Sequence, residues 1–488
     1  MNKNSTTKFS AFISHSFLFG ITIILNRVGA LILVFSLLQV LSLDDFAVIA
    51  LGQVVTIFAT PIFTFGIFDA VQRMYWEWDE SDRAHYIGTL WLFSLGLGLL
   101  LFSLLYSSSF WWGAVFFSQA AFLVHLDSVI AITFFSTWAT IPLAIIRAKQ
   151  EVARFAFVLI GMVLSQIIFV SIFVFIMNRG LAGYFYGMLC SAGLWGGYFL
   201  YFLITQSKFN FCFHHLKSAL AYSFPTVPAS ILEATSSVID RFILEKLVSL
   251  SSLGSFSLGA QFASLITSFN QILKSSWLPL VYQTVSNEND QNARGMIGSL
   301  GTVYVSLMSA VVIVTFALGK MFTSLVGRDQ YESVVIFFFG FVIVNYISSL
   351  GTALGRGIDI SKRMWFANLI PIVMISISTV TMFYFVPEFG VVGALYSCLC
   401  SMACKVIAQI VIACRLYHRP IYFGKLFAVI GIMSLSSYLI YSVQIEQIWI
   451  ELFAVFSVAV AAFVGIFFIG FDRMMRSEIK NLIIYRLF

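Results

Sequence analysis

The sequence has few charged residues. Only 10% of its 488 residues are Asp, Glu, Lys or Arg, whereas 60% are hydrophobic and 17% are aromatic. An average soluble domain carries roughly 25% charged residues, so a water-soluble fold of this length would lack the polar surface it needs. Hydrophobic residues run evenly from Phe9 to Phe488, and the mean hydropathy is +0.95. The medium around most of the chain is therefore predicted to be lipid.

A block of basic residues is also lacking, although the net charge is +6. The Lys and Arg residues are scattered between hydrophobic runs, so the charge belongs to loops and we expect no nucleic-acid partner. With 8 prolines and 32 glycines, the sequence has no low-complexity segment.

Cysteine is scarce too. The six cysteines fall in hydrophobic segments or in loops predicted to be cytoplasmic, where disulfides are not expected: Cys190, Cys212, Cys398, Cys400, Cys404 and Cys414. The last four include a cluster of three, but side chains two positions apart point to different sides of a helix, and no histidine lies nearby. We therefore expect no metal site and no cofactor.

Fourteen hydrophobic runs are long enough to cross a bilayer, whose core of about 30 Å needs roughly 20 apolar residues in a helix. They lie near residues 12–39, 46–70, 87–110, 122–146, 154–177, 182–204, 218–244, 253–280, 296–319, 333–355, 364–386, 389–413, 426–443 and 450–471. The runs lack the alternating pattern of barrel strands, and backbone groups in lipid must be hydrogen-bonded within their segment. The sequence predicts an all-α, polytopic membrane protein with 14 transmembrane helices. The stretch from Phe110 to Phe122 fits either a loop or a helix end.

The basic residues between the runs set the orientation. With a cytoplasmic N-terminus, twenty Lys and Arg residues fall on the inner side, and the outer side has only Arg179, Lys246, Lys320 and Arg328. We therefore expect a multi-pass inner-membrane protein with both termini in the cytoplasm. The first run is too long for a signal-peptide core and no cleavage site follows it, so it is expected to be retained.

An internal repeat appears when the chain is shifted by 207 residues. Ser16-Phe17 then falls on Ser223-Phe224, Ser42-Leu43 on Ser249-Leu250, and Leu51-Gly52 on Leu258-Gly259. These matches predict a duplicated six-helix unit, with two lobes around a central cavity. The predicted parts are an N-lobe at 1–210, a C-lobe at 211–418, and two C-terminal helices with a cytoplasmic tail at 419–488. Chance coincidence of common residues is the open alternative.

Several charged residues lie inside predicted spans, where each costs on the order of 2.5 to 3.5 kcal/mol unless it faces water or a partner. They are Arg27, Glu233, Asp240, Arg241, Lys274 and Lys405. The basic members outnumber the acidic ones, and Arg241 cannot be neutralised by its sequence neighbour on a helix. Some positive charge is therefore left for an anionic ligand.

Two of these spans carry polar stripes at helical spacing. The seventh has Thr226, Ser230, Glu233, Ser237 and Asp240, and the eighth has Thr267, Asn270, Gln271 and Lys274. Pro225 and Pro228 predict a bend at the start of the seventh span. Such polar groups also bind helices to one another, and that alternative stays open.

The motifs around the seventh span resemble those of a known family. They are Tyr222-Ser223-Phe224-Pro225, Asp240-Arg241-Phe242-Ile243-Leu244 and Leu253-Gly254-Ser255-Phe256-Ser257-Leu258. The order is similar to the Ser/Phe-Pro opening, mid-helix Asp-Arg and Gly-x-Tyr-Ser of the polysaccharide transporters. These are the Wzx-type O-antigen and repeat-unit flippases of the multidrug/oligosaccharidyl-lipid/polysaccharide exporter superfamily. Leu41–Phe46 and Gly66–Arg73 resemble that family's first loop and second-span ending. Phe256 replaces the usual tyrosine, and Ala47 replaces a common glycine.

The resemblance implies two six-helix lobes and two trailing helices that move an undecaprenyl-diphosphate-linked oligosaccharide from the cytoplasmic to the periplasmic leaflet. Transport would use alternating access and be ion-coupled. The implied roles are diphosphate binding by Arg27, Arg241, Lys274 and Lys405, glycan contact by Thr226, Ser230, Ser237, Asn270 and Gln271, and ion coupling by Glu233 and Asp240. The implied partners are the lipid-linked glycan, the bilayer, and polymerase and chain-length proteins of the same pathway.

Three other functions are alternatives to this one. A multidrug exporter of the same superfamily would favour an acidic, aromatic cavity, which the basic surplus opposes. A peptidoglycan-precursor flippase would use the same electrostatics. A membrane polymerase or ligase would need a large outer loop or a catalytic cluster, but the predicted outer loops are short and no catalytic motif is present. The chain is therefore not expected to be an enzyme.

Overall fold

The computed structural model describes residues 3–208, 210–287, 290–326, 332–361, 365–418, 420–442 and 448–470, and all regular structure in them is helical. The α-helices are α1 Lys3–Leu37, α2 Leu43–Thr64, α3 Ile67–Met74, α4 Glu80–Ser107, α5 Ser109–Phe116, α6 Ala120–Leu123, α7 Leu126–Thr137, α8 Thr140–Ala148, α9 Val152–Ser171, α10 Gly180–Gln206, α11 Phe213–Ser223, α12 Val227–Leu247, α13 Leu250–Asn287, α14 Asp290–Val326, α15 Glu332–Leu354, α16 Gly357–Ile360, α17 Trp365–Phe389, α18 Val391–Leu416, α19 Phe423–Ser442 and α20 Ile448–Gly470. A π-helical turn, Ile172–Ile176, continues α9, and a 3₁₀ turn, Phe224–Thr226, joins α11 to α12. The all-α fold is confirmed. The predicted tail from residue 471 onward lies outside the described residues, as does Arg328.

Twelve segments of the described chain are long and apolar enough to cross a membrane. They coincide with the predicted spans one to six and nine to fourteen. The predicted seventh and eighth spans are helices as well, α12 and α13, but they are too polar to be counted by length and composition. The predicted count of fourteen is therefore not confirmed. The two helices that fall short are the two that carry the polar stripes.

Three predicted runs prove to be broken helices. The second run ends at Thr64, since Phe65 and Gly66 have left-handed backbone with φ of 50° and 68°, and α3 follows as a separate helix. The fourth run is α7 plus α8, and the ambiguous stretch before it is α5 plus α6. At the predicted bend by Pro225, the 3₁₀ turn separates α11 from α12.

The chain forms two compact units. The first contains Met1–Ser257 and Ser378–Ala394, and the second contains Leu258–Ile377 and Leu395–Phe488. In the first unit α9 packs against α1 and α10, α2 packs against α7 and α12, and α11 packs against α3 and α4. In the second unit α14 packs against α15, α19 and α20. The domain boundaries predicted from the sequence stay a prediction.

The predicted repeat has matching local structure in the two halves. Ser42 caps α2 by accepting a hydrogen bond from the Asp45 N–H at 3.2 Å, and Ser249 accepts one from the Ser252 N–H at 3.3 Å just before α13. Both pairs differ by the same shift of 207 positions that the sequence suggested. Each half thus starts its second long helix with the same serine cap, which supports duplication over chance.

Loops predicted to share a side of the membrane contact each other within a unit. On the predicted inner side, the Lys149 Nζ donates to Gln206 Oε1 at 2.9 Å. On the predicted outer side, Lys320 Nζ lies 3.4 Å from Glu451 Oε1. These contacts support the segmentation of the chain, while the identity of the cytoplasmic side stays a prediction.

Candidate functional site

The polar stripe of the predicted seventh span lies on one uninterrupted helix. Thr226 precedes α12, and the helix runs without a break to Leu247. The polar face of α12, defined as Thr226, Ser230, Glu233, Ser237 and Asp240, therefore stacks along one side at 3.6 residues per turn.

Part of this face is open in the structure, while Thr226, Ser230 and Asp240 on it are partly buried. Glu233 and Ser237 are exposed, whereas Val227, Ala234 and Val238, about a quarter-turn away on the helix, are buried. Because α12 packs against α2, its buried side is the one that holds it in the first unit. The carboxylate and hydroxyl groups are left available to a ligand.

The hydroxyls of the polar face bond to their own helix. Ser230 donates to the Thr226 carbonyl at 3.1 Å and Ser237 donates to the Ala234 carbonyl at 2.7 Å. Within the described residues neither serine hydrogen-bonds to another helix, so the alternative of helix-to-helix binding has no support at these two positions. Their oxygens keep lone pairs that can accept from sugar hydroxyls.

Asp240 and Arg241 do not neutralise each other through their side chains. The Asp240 Oδ1 accepts from the backbone N–H of Arg241 at 2.8 Å, and the Arg241 guanidinium lies along its own helix with Nη1 3.4 Å from the Ser237 carbonyl. The Arg241 Nε is buried with no hydrogen-bond partner in the described part of the chain. This guanidinium therefore retains donor capacity beside the polar face.

Arg27 lies on the protein-facing side of α1. The exposed residues Ile21, Leu25, Val28 and Ile32 form an apolar face at spacings of four, three and four. Arg27 is partly buried and shares its face with Leu31 and Val34, which are each 6% exposed. The arginine thus points away from the face that suits acyl chains.

Lys405 has the same relation to α18. The exposed apolar residues on this helix are Tyr396, Ile407 and Val411. Lys405 is partly buried and stands one turn after Ser401, which is fully buried, on nearly the opposite side from Ile407. Arg27 and Lys405 are therefore both partly buried and lie away from the exposed apolar faces of their helices.

The stripe of the predicted eighth span is divided by the structure. Thr267, Gln271 and Lys274 are exposed on one face of α13. Asn270 instead accepts a hydrogen bond from the Tyr304 hydroxyl at 2.6 Å through its Oδ1, and its Nδ2 lies 3.5 Å from the Thr352 hydroxyl. Asn270 therefore anchors α13 within the second unit and supports the three open side chains.

Arg356 is a buried cation that the sequence analysis counted only as a loop charge. It is 8% exposed, its Nη1 donates to Asp359 at 2.7 Å, and its Nε donates to the Thr352 carbonyl at 2.9 Å. The guanidinium also stacks on Trp277, 5.5 Å from the ring centroid. The three-residue spacing of Arg356 and Asp359 was the available signal. Glu245 is a second residue that the sequence does not single out: its Oε1 accepts hydrogen bonds from the Ser118 and Gln119 N–H groups.

Two helix breaks of the first unit contact each other beside the polar face. Gly66, with its positive φ, packs on the turn that precedes α12, and a Cβ at this position would lie 2.9 Å from Thr226 Oγ1 and 3.0 Å from the Ser223 carbonyl oxygen. The adjacent Phe65 and Phe224 rings are 5.9 Å apart. The bend predicted from the prolines is thus held by a glycine that no side chain can replace without strain.

Gly66→Ala is expected to destabilise the protein more than Gly180→Ala. Both glycines have positive φ, which costs alanine about 1 to 2 kcal/mol, but only open space surrounds Gly180. The close contacts at Gly66 add about 1 kcal/mol or more. Thermal unfolding of the two purified variants measures the difference, and equal shifts in Tm would show that the contact is loose.

No group of three or more His, Cys, Asp or Glu residues placed to hold a metal ion occurs in the described residues. The six cysteines are free thiols.

Comparison with known proteins identifies relatives of the chain. A family model described as polysaccharide biosynthesis protein matches residues 37–335, which is more than half of the sequence. No curated protein sequence matches.

Solved structures share the fold. The lipid II flippase MurJ in an inward closed conformation has a TM-score of 0.68 and 14% identity, and the match covers 94% of this chain and 98% of MurJ. A multidrug resistance MATE family transporter of the MOP superfamily, in an inward-facing conformation, has a TM-score of 0.63 and 11% identity, covering 82% and 93%. MATE in the straight conformation has a TM-score of 0.60 and 12% identity, and the match covers 83% of this chain and 94% of that chain. At these identities the likeness establishes the fold.

Proposed function

We propose, from the premise that the chain belongs to the polysaccharide biosynthesis protein family, that it is a flippase for undecaprenyl-diphosphate-linked oligosaccharide. It moves the repeat unit from the cytoplasmic to the periplasmic leaflet of the inner membrane by alternating access. The membrane fold shared with MurJ and MATE transporters supports transport over an enzymatic role.

The observation that carries this proposal is the surplus of cations on protein-facing sides of membrane helices. Arg27 and Lys405 lie away from the lipid-exposed faces of α1 and α18, and Arg241 keeps an unpartnered Nε. A charged group in a membrane is retained where it serves a ligand or a pathway. A diphosphate is the ligand that fits, because guanidinium and ammonium groups bind its oxygens through charge-assisted hydrogen bonds.

The sugar part needs a different surface, and the polar face of α12 supplies it. The hydroxyls there contact glycan without strict selectivity, since both sugar and protein hydroxyls can donate and accept. In the second unit, Gln271 is exposed on α13 and is assigned to glycan contact, and Lys274, exposed one turn later on the same face, is assigned to the diphosphate path. We assign Asn270 to holding α13 in place, because its side chain already has partners.

Ion coupling is assigned to Glu233 and Asp240. Glu233 is exposed on the polar face and forms no ion pair with any described residue. A carboxylate in that position can take up a proton or sodium ion in one state of the cycle and release it in the other.

A peptidoglycan-precursor flippase is the second candidate. The structural match to MurJ, a lipid II flippase, covers nearly the whole of both chains. Its substrate would also be a lipid-linked diphosphate, so it would bind to the same basic residues. A multidrug exporter fits less well, because organic cations would be repelled by the basic surplus.

Lipid transport by the purified protein tests the proposal directly. The protein is reconstituted into liposomes that contain an undecaprenyl-diphosphate-linked oligosaccharide, and the fraction of glycan accessible from outside is followed over time. We expect translocation of the lipid-linked oligosaccharide and none of lipid II. Transport of lipid II alone would favour the second candidate, and transport of neither would contradict both.

The openness of the polar face is tested by cysteine labelling. Glu233→Cys and Ser237→Cys are expected to react with a water-soluble maleimide, because both side chains are exposed on α12. Ala234→Cys and Val238→Cys, each the next position along the same helix and buried, are expected to stay unlabelled. Equal labelling of all four would refute a hydrated face.

A further inference from the structure

The connection between the third and fourth predicted spans, which forms α5 and α6, has no charged residue. No Asp, Glu, Lys or Arg occurs between Arg83 and Asp127. Every other predicted outer loop contains at least one, and an example from each loop, in chain order, is Asp44, Arg179, Glu245, Lys320, Glu388 and Glu446. Segments in water normally carry such residues. The connection therefore has the composition of a membrane segment, although α5 and α6, at eight and four residues, are too short to cross a bilayer.

One side of α5 is apolar and uncovered. Phe110, Trp111 and Val115 are 78%, 75% and 72% exposed, and Ala114 is exposed as well. These four residues, which we define as the apolar face of α5, lie within about 140° of the helix circumference. The other side of the helix faces the first unit, where Gly113 is buried. Large exposed apolar side chains that adjoin one another mark an interaction surface.

The apolar face of α5 continues the exposed surface of α4. Leu100 and Leu104 of α4 are exposed, and that helix is one of the segments long and apolar enough to cross a membrane. Only Ser108 separates α4 from α5, and the Trp112 Nε1 of α5 donates to the Leu105 carbonyl at 3.0 Å. The short helix is thus fixed against the end of a membrane-crossing helix, and the surface that suits acyl chains extends onto it.

The break between α5 and α6 has the hydrogen-bond acceptors that a backbone away from water needs. The Phe117 N–H donates to the Gly113 carbonyl at 2.9 Å. The next two N–H groups, of Ser118 and Gln119, donate to Glu245 Oε1 at 2.6 and 3.0 Å, and Glu245 is 2% exposed. Irregular backbone at membrane depth is tolerated only where the protein satisfies its polar groups. A loop in water would not need this carboxylate, because water would accept the same hydrogen bonds.

Lipid suits the apolar face of α5 better than a protein partner does. A protein interface normally has a polar rim around its apolar centre. The residues that flank α5 are the serines at 107–109 on one side and Ser118 and Gln119 on the other, and none of them is charged. Tryptophan is enriched where membrane proteins meet the lipid headgroups, as Trp111 would at this depth.

We propose that α5 lies within the bilayer, in the leaflet on the predicted outer side, and that its apolar face binds lipid acyl chains. The Phe116 and Phe117 rings of this segment lie 6.4 and 5.9 Å from the Phe242 ring of α12. Lipid of that leaflet therefore contacts an element that packs against the helix with the polar face. The inference goes beyond the proposed function and does not depend on which lipid is transported.

Spin labelling measures where the apolar face lies. A cysteine-free protein with Val115→Cys carries a nitroxide label in phosphatidylcholine vesicles. Its collisions with oxygen, which concentrates in hydrocarbon, are compared with its collisions with a water-soluble nickel complex. We expect oxygen collisions to dominate, with the label about 5 to 10 Å below the headgroup boundary.

Two matched positions calibrate the measurement. Leu104→Cys, exposed on α4, is the lipid-facing reference, and Arg179→Cys, exposed in another predicted outer loop, is the aqueous one. We expect Val115 to resemble Leu104. Nickel collisions at Val115 as frequent as at Arg179 would overturn the proposal. A label that neither reagent reaches would overturn it too, and would indicate a second copy of the chain on this face.

Tryptophan fluorescence gives a second measurement that needs no cysteine-free protein. Brominated phosphatidylcholine quenches the tryptophans that its acyl chains contact. Trp111→Phe removes a highly exposed ring, so the quenched share of the emission is expected to fall. Trp91→Phe, which removes a ring of α4 that is 8% exposed, is the control and is not expected to lower that share. An unchanged quenched share in Trp111→Phe would show that acyl chains do not reach α5.

Discussion

Replacing Arg27 by alanine is expected to abolish surface glycan in cells that depend on this protein, while the protein stays in the membrane at its usual level. Arg27 is on the buried side of α1, so its removal changes no lipid-facing surface. Truncating one partner of a buried, hydrogen-bonded charge pair costs about 2 to 5 kcal/mol, which is a loss of roughly 30-fold to several-thousand-fold in affinity. Lipid-linked repeat units should accumulate inside the cell.

Conservative and matched variants separate charge from structure. Arg27→Lys keeps the positive charge but loses the forked donor geometry, so a reduced but measurable amount of surface glycan is expected. Lys405→Ala should resemble Arg27→Ala, because Lys405 has the same protein-facing position on α18. Arg179→Ala removes an exposed arginine from a predicted outer loop and should leave glycan unchanged. Normal glycan in both Arg27→Ala and Lys405→Ala, at equal protein levels, would remove the cationic site.

The order of helices could be predicted because hydrophobic length is a local property. Twelve of the predicted runs appear as apolar segments at nearly the predicted places. The breaks within runs could not be placed, since Phe65 and Gly66 read as part of a continuous hydrophobic stretch and their left-handed backbone depends on packing against the turn at Thr226. Pro225 and Pro228 predicted the bend before α12, but no residue predicted the break at Gly66 that contacts it.

For the candidate site, the sequence predicts which side chains share a helix face, but it does not predict which residues they contact. Periodicity placed Ser230, Glu233 and Ser237 on one side of α12, where the structure exposes Glu233 and Ser237 and partly buries Ser230. The same reasoning could not distinguish Asn270 from Gln271, because the partner of Asn270 is Tyr304, 34 positions later. Glu245 was unpredictable for the same reason, since its partners come from a loop whose path the sequence does not define.

Gly254 explains one element of the family motif in physical terms. It lies near the start of α13, where a Cβ would overlap the carbonyl oxygen of Leu43 at the start of α2. The obstacle is backbone, which cannot turn aside as a side chain can. The shift of 207 that relates the two halves pairs Gly254 with Ala47, which is also fully buried. Both members of the pair are small, and only one of them has to be glycine here.

Gly254→Ala is therefore expected to destabilise the protein by about 3 kcal/mol or more, since overpacking against rigid backbone costs at the upper end of its usual range. A lower yield of folded protein and a lower Tm in detergent measure the effect. Gly96→Ala is the control, because Gly96 lies within α4 with nothing within 4 Å of an added Cβ, and alanine favours a helix by about 0.5 to 1 kcal/mol over glycine. The two substitutions add the same methyl group to helices of the same unit, yet they should shift Tm in opposite directions. A Gly254→Ala protein as stable as Gly96→Ala would mean that the starts of α2 and α13 are further apart than the structure places them.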